Sequence, residues 1–330
     1  MESNDRNDRL IHDNVERFAA ALQAGRAKVG DPMWPQVWVA VLDGSNQDAT
    51  TCAILTRLAE AHRARVFVTA GVLAEDANRR EDIAIDAALL VLSKSGIRAE
   101  GVMSQRAESH ERILQVLEDR KADLCLLPCP FAHDLGDLGE STLGTVVEVC
   151  LARSRTPVLI VRGPLSEDVN ALDRPHLILE RPDRAATHAI RLALGRLQAS
   201  TASEPAKADR TEPLVLAGTL GITFIYHGAE DSDVDDAMAL GYRVAPADLI
   251  PLLSKGLSGY LHHLLGLREQ HPGLSLEARL VHPDGELVDE AEERNRLHIV
   301  PMEPVERGVP ELVQRFVLST LDPVLVVSAP

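Results

Sequence analysis

The sequence predicts an α/β chain: two tandem doubly wound parallel five-stranded sheets, preceded by an N-terminal helix. Three observations carry that prediction. Val37 to Leu42 (VWVAVL), Leu124 to Leu127 and Val158 to Val161 are short, near-continuous apolar runs, the mark of strands buried on both faces. Such runs alternate with amphipathic segments, and right-handed crossovers close a β-α-β-α order into a doubly wound sheet. Finally, Pro157-Val-Leu-Ile-Val-Arg-Gly-Pro164 returns as Pro323-Val-Leu-Val-Val-Ser-Ala-Pro330, so one plan is used twice.

The 330 residues suit roughly two domains and leave room for full cores. Boundaries fall at 1–35 (helical extension), 36–164 (first domain), 165–173 (linker) and 174–330 (second domain). Aromatic residues make up only 3%, so Leu, Val, Ile and Ala must build the interior. A net charge of −16 argues against nucleic acid as a partner, because phosphate binding needs basic stripes. Cys52, Cys125, Cys129 and Cys150 form no C-x-x-C pair and read as reduced thiols. No apolar run approaches the roughly 20 residues of a membrane span, and the N-terminus lacks a signal-peptide core. The expected location is the cytoplasm, without membrane association.

In the first repeat, residues 4–28 place Leu10, Ile11, Val15, Phe18, Ala19 and Leu22 at helical spacing. Such a stripe should dock on the chain's own body or on a second subunit. Strand one, Val37 to Leu42, ends in Asp43-Gly44-Ser45, and a helix from about Ala49 to His62 follows. Val66 to Ala70 is strand two, leading to Gly71-Val72. The helix from about Asp76 to Leu92 turns Ile83, Ile85, Ala88, Leu89 and Leu92 inward, and Gly96 stops it. Ile97 to Met103 is a weak strand, Glu108 to Arg120 a helix, and Leu124 to Leu127 strand four. A loop with Gly136, Gly139 and Gly144 then feeds a helix and the strand Val158 to Val161.

The second repeat follows with more wear. His176 to Glu180 is its first strand, a helix runs to about Leu197, and the polar stretch 199–213 reads as a flexible insertion. Leu214 to Leu216 and Ile222 to Tyr226 are strand candidates, and Ala229 to Asp236 is an acidic loop. Pro251 to Gln270 reads as one helix, Leu276 to Val281 as strand three, and Glu286 to Arg294 as a short helix. Leu297 to Val300, Pro310 to Leu321 and Val324 to Val327 complete the plan. In the last helix and strand the offset between copies is a constant 166, which sets Val146-Val147 against Leu312-Val313.

These residues resemble the universal stress protein family in its tandem form. The carriers are Asp43-Gly44-Ser45 after strand one, Ala122-Asp-Leu-Cys-Leu-Leu127, Gly144-Thr145 and Pro157-Val-Leu-Ile-Val161. The match is good over 36–164 and rests on order, spacing and the final strand over 174–330. The resemblance implies a stress-response role and, in members that bind ATP, a nucleotide held by defined positions. By that resemblance Asp43 would contact the nucleoside and the Gly71-Val72 backbone the adenine. A glycine loop closing on Gly144-Thr145 would cradle phosphates at a helix N-terminus. The pattern departs directly after strand four, where Pro128 and Phe131 stand at the family's first two glycines. Pro128 has no N–H to give, and Phe131 brings bulk where backbone must approach an anion. Gly136 and Gly139 keep the two-residue gap, but Asp134, Asp137 and Glu140 surround them. In the second repeat Glu180-Arg-Pro-Asp183 replaces Asp-Gly-Ser, and the loop from Pro301 to Pro310 is short and acidic.

Other templates find no support. No G-x-S-x-G, H-E-x-x-H or Walker A sequence occurs. His262-His263 are adjacent on a helix, where neighbours point about 100° apart and cannot share a metal. Ser45 suits a turn or helix cap, and Cys129 would be a reactive thiol only if exposed. Two readings follow. The first is a non-catalytic stress-response or regulatory binding protein, with a protein partner and paired final strands in a homodimer or internal pseudo-dimer. The second is a protein that binds ATP or AMP with Mg²⁺ through Asp43, Gly44, Ser45, Gly71, Val72, Gly136, Gly139, Gly144 and Thr145.

Overall fold

A computed structural model of the chain describes residues 29, 31–71, 77–103, 108–133, 142–163, 171–201, 215–226, 245–283, 296–303 and 308–329. The expected N-terminal helix lies outside the described residues, as do the acidic loop at 229–236, the short helix at 286–294 and most of the insertion.

The first five strands are β1 (Val37–Leu42), β2 (Arg65–Ala70), β3 (Ala99–Gly101), β4 (Leu124–Pro128) and β5 (Val158–Val161). Between them run α1 (Gln47–His62), α2 (Ala77–Lys94), α3 (Ser109–Arg120) and α4 (Thr145–Arg153). The second set is β6 (Pro175–Leu179), β7 (Gly218–Ile225), β8 (Leu274–Val281), β9 (Leu297–Met302) and β10 (Val324–Ser328). Its helices are α5 (Arg184–Thr201), α6 (Lys255–Gln270) and α7 (Glu311–Ser319).

The strand order is β3-β2-β1-β4-β5-β10-β9-β6-β7-β8. Read outward from the middle, both halves have the same order, and pairing within each half is parallel. The two five-stranded halves join edge to edge into one ten-stranded sheet. β10 pairs antiparallel with β5, setting Leu325 against Leu159 and Val326 against Val158. An apolar final strand with a bare edge seeks a partner, and each half supplies one to the other.

Strand alternation sorts the interior into two layers. Trp38, Ala40 and Leu42 point with Leu177 and Leu179 to a face covered by α1, α2, α5 and α6. Val39, Val41, Cys125 and Leu127 point the other way, under α3, α4 and α7. Each fully buried Leu, Ile or Val contributes about 1.5–3 kcal/mol, so these layers dominate the stabilisation.

Several expectations are corrected. Ile83 is not inward: it stands 61% exposed, because the buried stripe of α2 runs through Ile85, Ala88 and Leu92. Residues 215–217 are not strand, and β7 is one strand from Gly218 to Ile225. Its interior Gly221 and two threonines hid it from an apolar-run reading. Pro251–Gln270 is not one helix, since a 3-10 segment over Pro246–Leu252 precedes α6. Pro251 lacks the N–H an α-helical turn needs there. The insertion starts later than expected, because α5 continues to Thr201.

Candidate functional site

The chain reverses direction across the sheet between β1 and β4, where β1 leads outward to β2 while β4 leads toward β5. In open α/β sheets the crevice beyond the strand ends at such a switch point is the usual ligand site. Asp43 stands there, at the exit of β1, and is 3% exposed.

Its carboxylate is already engaged. Oδ1 accepts the Ser45 N–H at 2.9 Å, and Oδ2 accepts the Ala132 N–H at 2.7 Å. The second bond comes from the far side of the crevice, from the segment that follows β4. Asp48 accepts the N–H groups of Asp43 and Gly44, both at 3.0 Å, which fixes the turn from below. Burial, with the charge of Asp43 added, raises the Asp48 carboxyl to about 6 despite those hydrogen bonds. Gly44 has φ +82°, a conformation that a glycine adopts at little cost.

The segment Pro128 to Ala132 folds across the crevice mouth. Gln47 holds it from α1, its Nε2 donating to the Pro130 carbonyl at 3.2 Å. Phe131 is 4% exposed, and its ring lies where a Cβ on Gly71 would meet it at 3.0 Å. Gly71 therefore admits Phe131 against the exit of β2. The Ser109 hydroxyl donates to the Gly71 carbonyl at 3.4 Å. Below this lid Arg112 pairs with Glu81 at 2.6 Å, with both side chains largely buried.

The predicted residues thus divide. Asp43, Gly44, Ser45 and Gly71 converge with Phe131 and Ala132 at the switch point. Gly144 and Thr145 open α4, with φ +82° at Gly144 and, among the described residues beyond its chain neighbours, no atom within 4 Å of the place its Cβ would take. The Cys129 thiol approaches the Leu143 carbonyl at 3.8 Å, which brings that helix start beside the exit of β4. Val72, Gly136 and Gly139 lie outside the described residues. Ser45 serves the turn, its hydroxyl accepting the Gln47 N–H at 3.2 Å. Cys129 is buried, and burial pushes its thiol up to about 11. Gln47, Phe131 and Ala132 do the most to shape the crevice. Only Phe131 was signalled, by standing where the family pattern has a glycine.

The matching end of the second half is also filled. Asp183 caps α5 by accepting the Ala186 N–H at 2.6 Å. The Tyr260 hydroxyl donates to the Asp183 carbonyl at 3.0 Å. Burial raises the Asp183 carboxyl. Among the described residues no group of three or more His, Cys, Asp or Glu could hold a metal. Nor is any helix there long and apolar enough to cross a membrane.

No protein-family model matches the chain, and no curated protein matches its sequence. Solved structures do match. A universal stress protein from Archaeoglobus fulgidus DSM 4304 is similar at TM-score 0.59 and 14% identity, covering 89% of this chain and 96% of that one. A putative universal stress protein from Pseudomonas aeruginosa UCBPP-PA14 is similar at TM-score 0.55 and 10% identity, covering 92% and 95%. The chain has the universal stress protein fold. A shorter chain, the universal stress protein from Archaeoglobus fulgidus in complex with dAMP, covers 40% of this one at 15% identity and TM-score 0.30. Within the universal stress protein fold, the crevice at Asp43 is the switch-point site, and here the chain's own Phe131 and Ala132 stand in its mouth.

Proposed function

We propose that this chain is a non-catalytic regulatory binding protein of the stress-response type, whose first switch-point crevice is closed to nucleotide by its own backbone. One observation carries the reading: the Ala132 N–H occupies Asp43 Oδ2 at 2.7 Å while Phe131 packs on Gly71. A nucleoside needs both places, the carboxylate for its polar edge and the strand-two exit for its base. Displacing the lid would break a hydrogen bond to a buried charge, about 1.5–3 kcal/mol, and expose an aromatic ring as well. Titration calorimetry with ATP and Mg²⁺, and with AMP, should give no binding heat at millimolar nucleotide.

A second reading, binding of ATP or AMP, has one observation in its favour. Gly144 keeps a positive φ and open space at the start of α4, the geometry that lets helix N–H groups approach a phosphate. Binding heat in the wild type that vanishes in Asp43→Ala would establish this reading and remove the first.

A further inference from the structure

At the opposite end of the first half, a cleft of about 580 Å³ opens at the C-terminal ends of α1 and α2 and the starts of β2 and β3. Arg63, Arg65 and Arg98 line it, Ala59 and Ile97 form an apolar floor, and no acidic side chain is among its described lining residues. We propose that this cleft binds a small organic polyanion, whose phosphate or carboxylate groups are held by the Arg63 and Arg98 guanidinium groups.

The charge arrangement favours an anionic ligand. In a chain of net charge −16, Arg63 and Arg98 stand at one cavity, while Arg65, which also lines it, sets its guanidinium over the Phe67 ring at 4.6 Å. Arg65 reaches Glu100 at 3.6 Å, a carboxylate that Arg120 shares at 3.4 Å. Among the described residues neither Arg63 nor Arg98 has a carboxylate within ion-pair distance. Basic residues at helix C-termini often serve only to offset the macrodipole. That account suits Arg63, which ends α1, but not Arg65 on β2 or Arg98 ahead of β3. With Arg65 paired to Glu100, the two helix ends contribute about one negative charge between them, at about half a charge each, which the Arg63 and Arg98 guanidinium groups exceed. Arg63 also holds φ +52° at a helix cap where glycine is the favoured residue. The volume lies in the range of small-molecule sites, and guanidinium forks match phosphate and carboxylate oxygens in pairs. The apolar floor suits a ligand with a carbon body.

Calorimetry on the full chain with inorganic tripolyphosphate and with citrate separates the two anion classes. At least one should bind the wild type, more weakly as salt rises. Either Arg98→Ala or Arg63→Gly should weaken it about tenfold, the effect of losing one charge-assisted hydrogen bond. Arg63→Gly also separates binding from folding, because glycine suits that backbone and Tm should hold or rise while affinity falls. Tripolyphosphate alone would mark a phosphate-ester site, and citrate alone a polycarboxylate site. No binding of either at millimolar concentration, or equal binding by an Arg63→Gly/Arg98→Ala double variant, overturns the proposal.

Discussion

Asp43 and Asp48 show how one turn sets both the chemistry and the stability of the crevice. Two carboxylates within a few residues repel, and burial adds to the cost of ionising both. The Asp48 carboxyl is raised from 3.8 to about 6, so the folded state holds a proton that the unfolded chain gives up. The resulting stabilisation is present below pH 4 and is lost as pH rises through about 6. Carbon-13 NMR titration of Asp48 should show an inflection near 6, and Asp43→Asn should move it down. A wild-type inflection near 4 would show that the pair is not buried as described. Asp43→Ala should also destabilise the fold by about 1–3 kcal/mol, since the Ser45 and Ala132 N–H groups lose their acceptor. Chemical denaturation measures that loss.

Among the elements, α7 depends on a residue from the other half. Arg162, just beyond β5 and 9% exposed, donates to the Val317 carbonyl at 2.8 Å and the Thr320 carbonyl at 3.4 Å. The end of a helix leaves carbonyls without partners, and this guanidinium satisfies two of them across the seam. Arg162→Ala should therefore cost about 1–3 kcal/mol, with exchange of the α7 amides rising before that of β1. Uniform loss of protection would instead place Arg162 in the global fold alone. The lid after β4 belongs to the same scale. Phe131→Gly removes the ring from Gly71 and should lower Tm. Nucleotide affinity appearing in that variant alone would mark the ring as the obstruction.

For the whole molecule, the decisive feature is the β5–β10 seam at the centre of the ten strands. Both final strands are used up within one chain, so their edges are not open to another copy. Val326 is 1% exposed and faces Val158 across the seam. Val326→Lys would bury a charge there and should give two thermal transitions in calorimetry where the wild type is expected to give one. One unchanged transition would show that the layers above and below the sheet, not the seam, couple the halves. The arginines at the base of the first half stand at the opposite end of the strands from the Asp43 crevice, so the two ends can be altered separately.

Most of the strands and their alternation with helices were legible in the sequence. Apolar runs such as VWVAVL can be stable only when covered on both sides, and the repeated Pro-Val-Leu cadence marked both final strands. The departure at Phe131 was legible too, as a bulky residue where backbone must approach an anion. What it does there was not legible: its ring meets Gly71 and its neighbour's N–H reaches Asp43, contacts that span 60 and 89 residues of chain. Local pattern reports propensity and burial, which are set by near neighbours. The joining of the final strands within one chain, the closure of the crevice and the placement of Arg63 beside Arg98 depend on which distant segments meet, and only tertiary packing decides that.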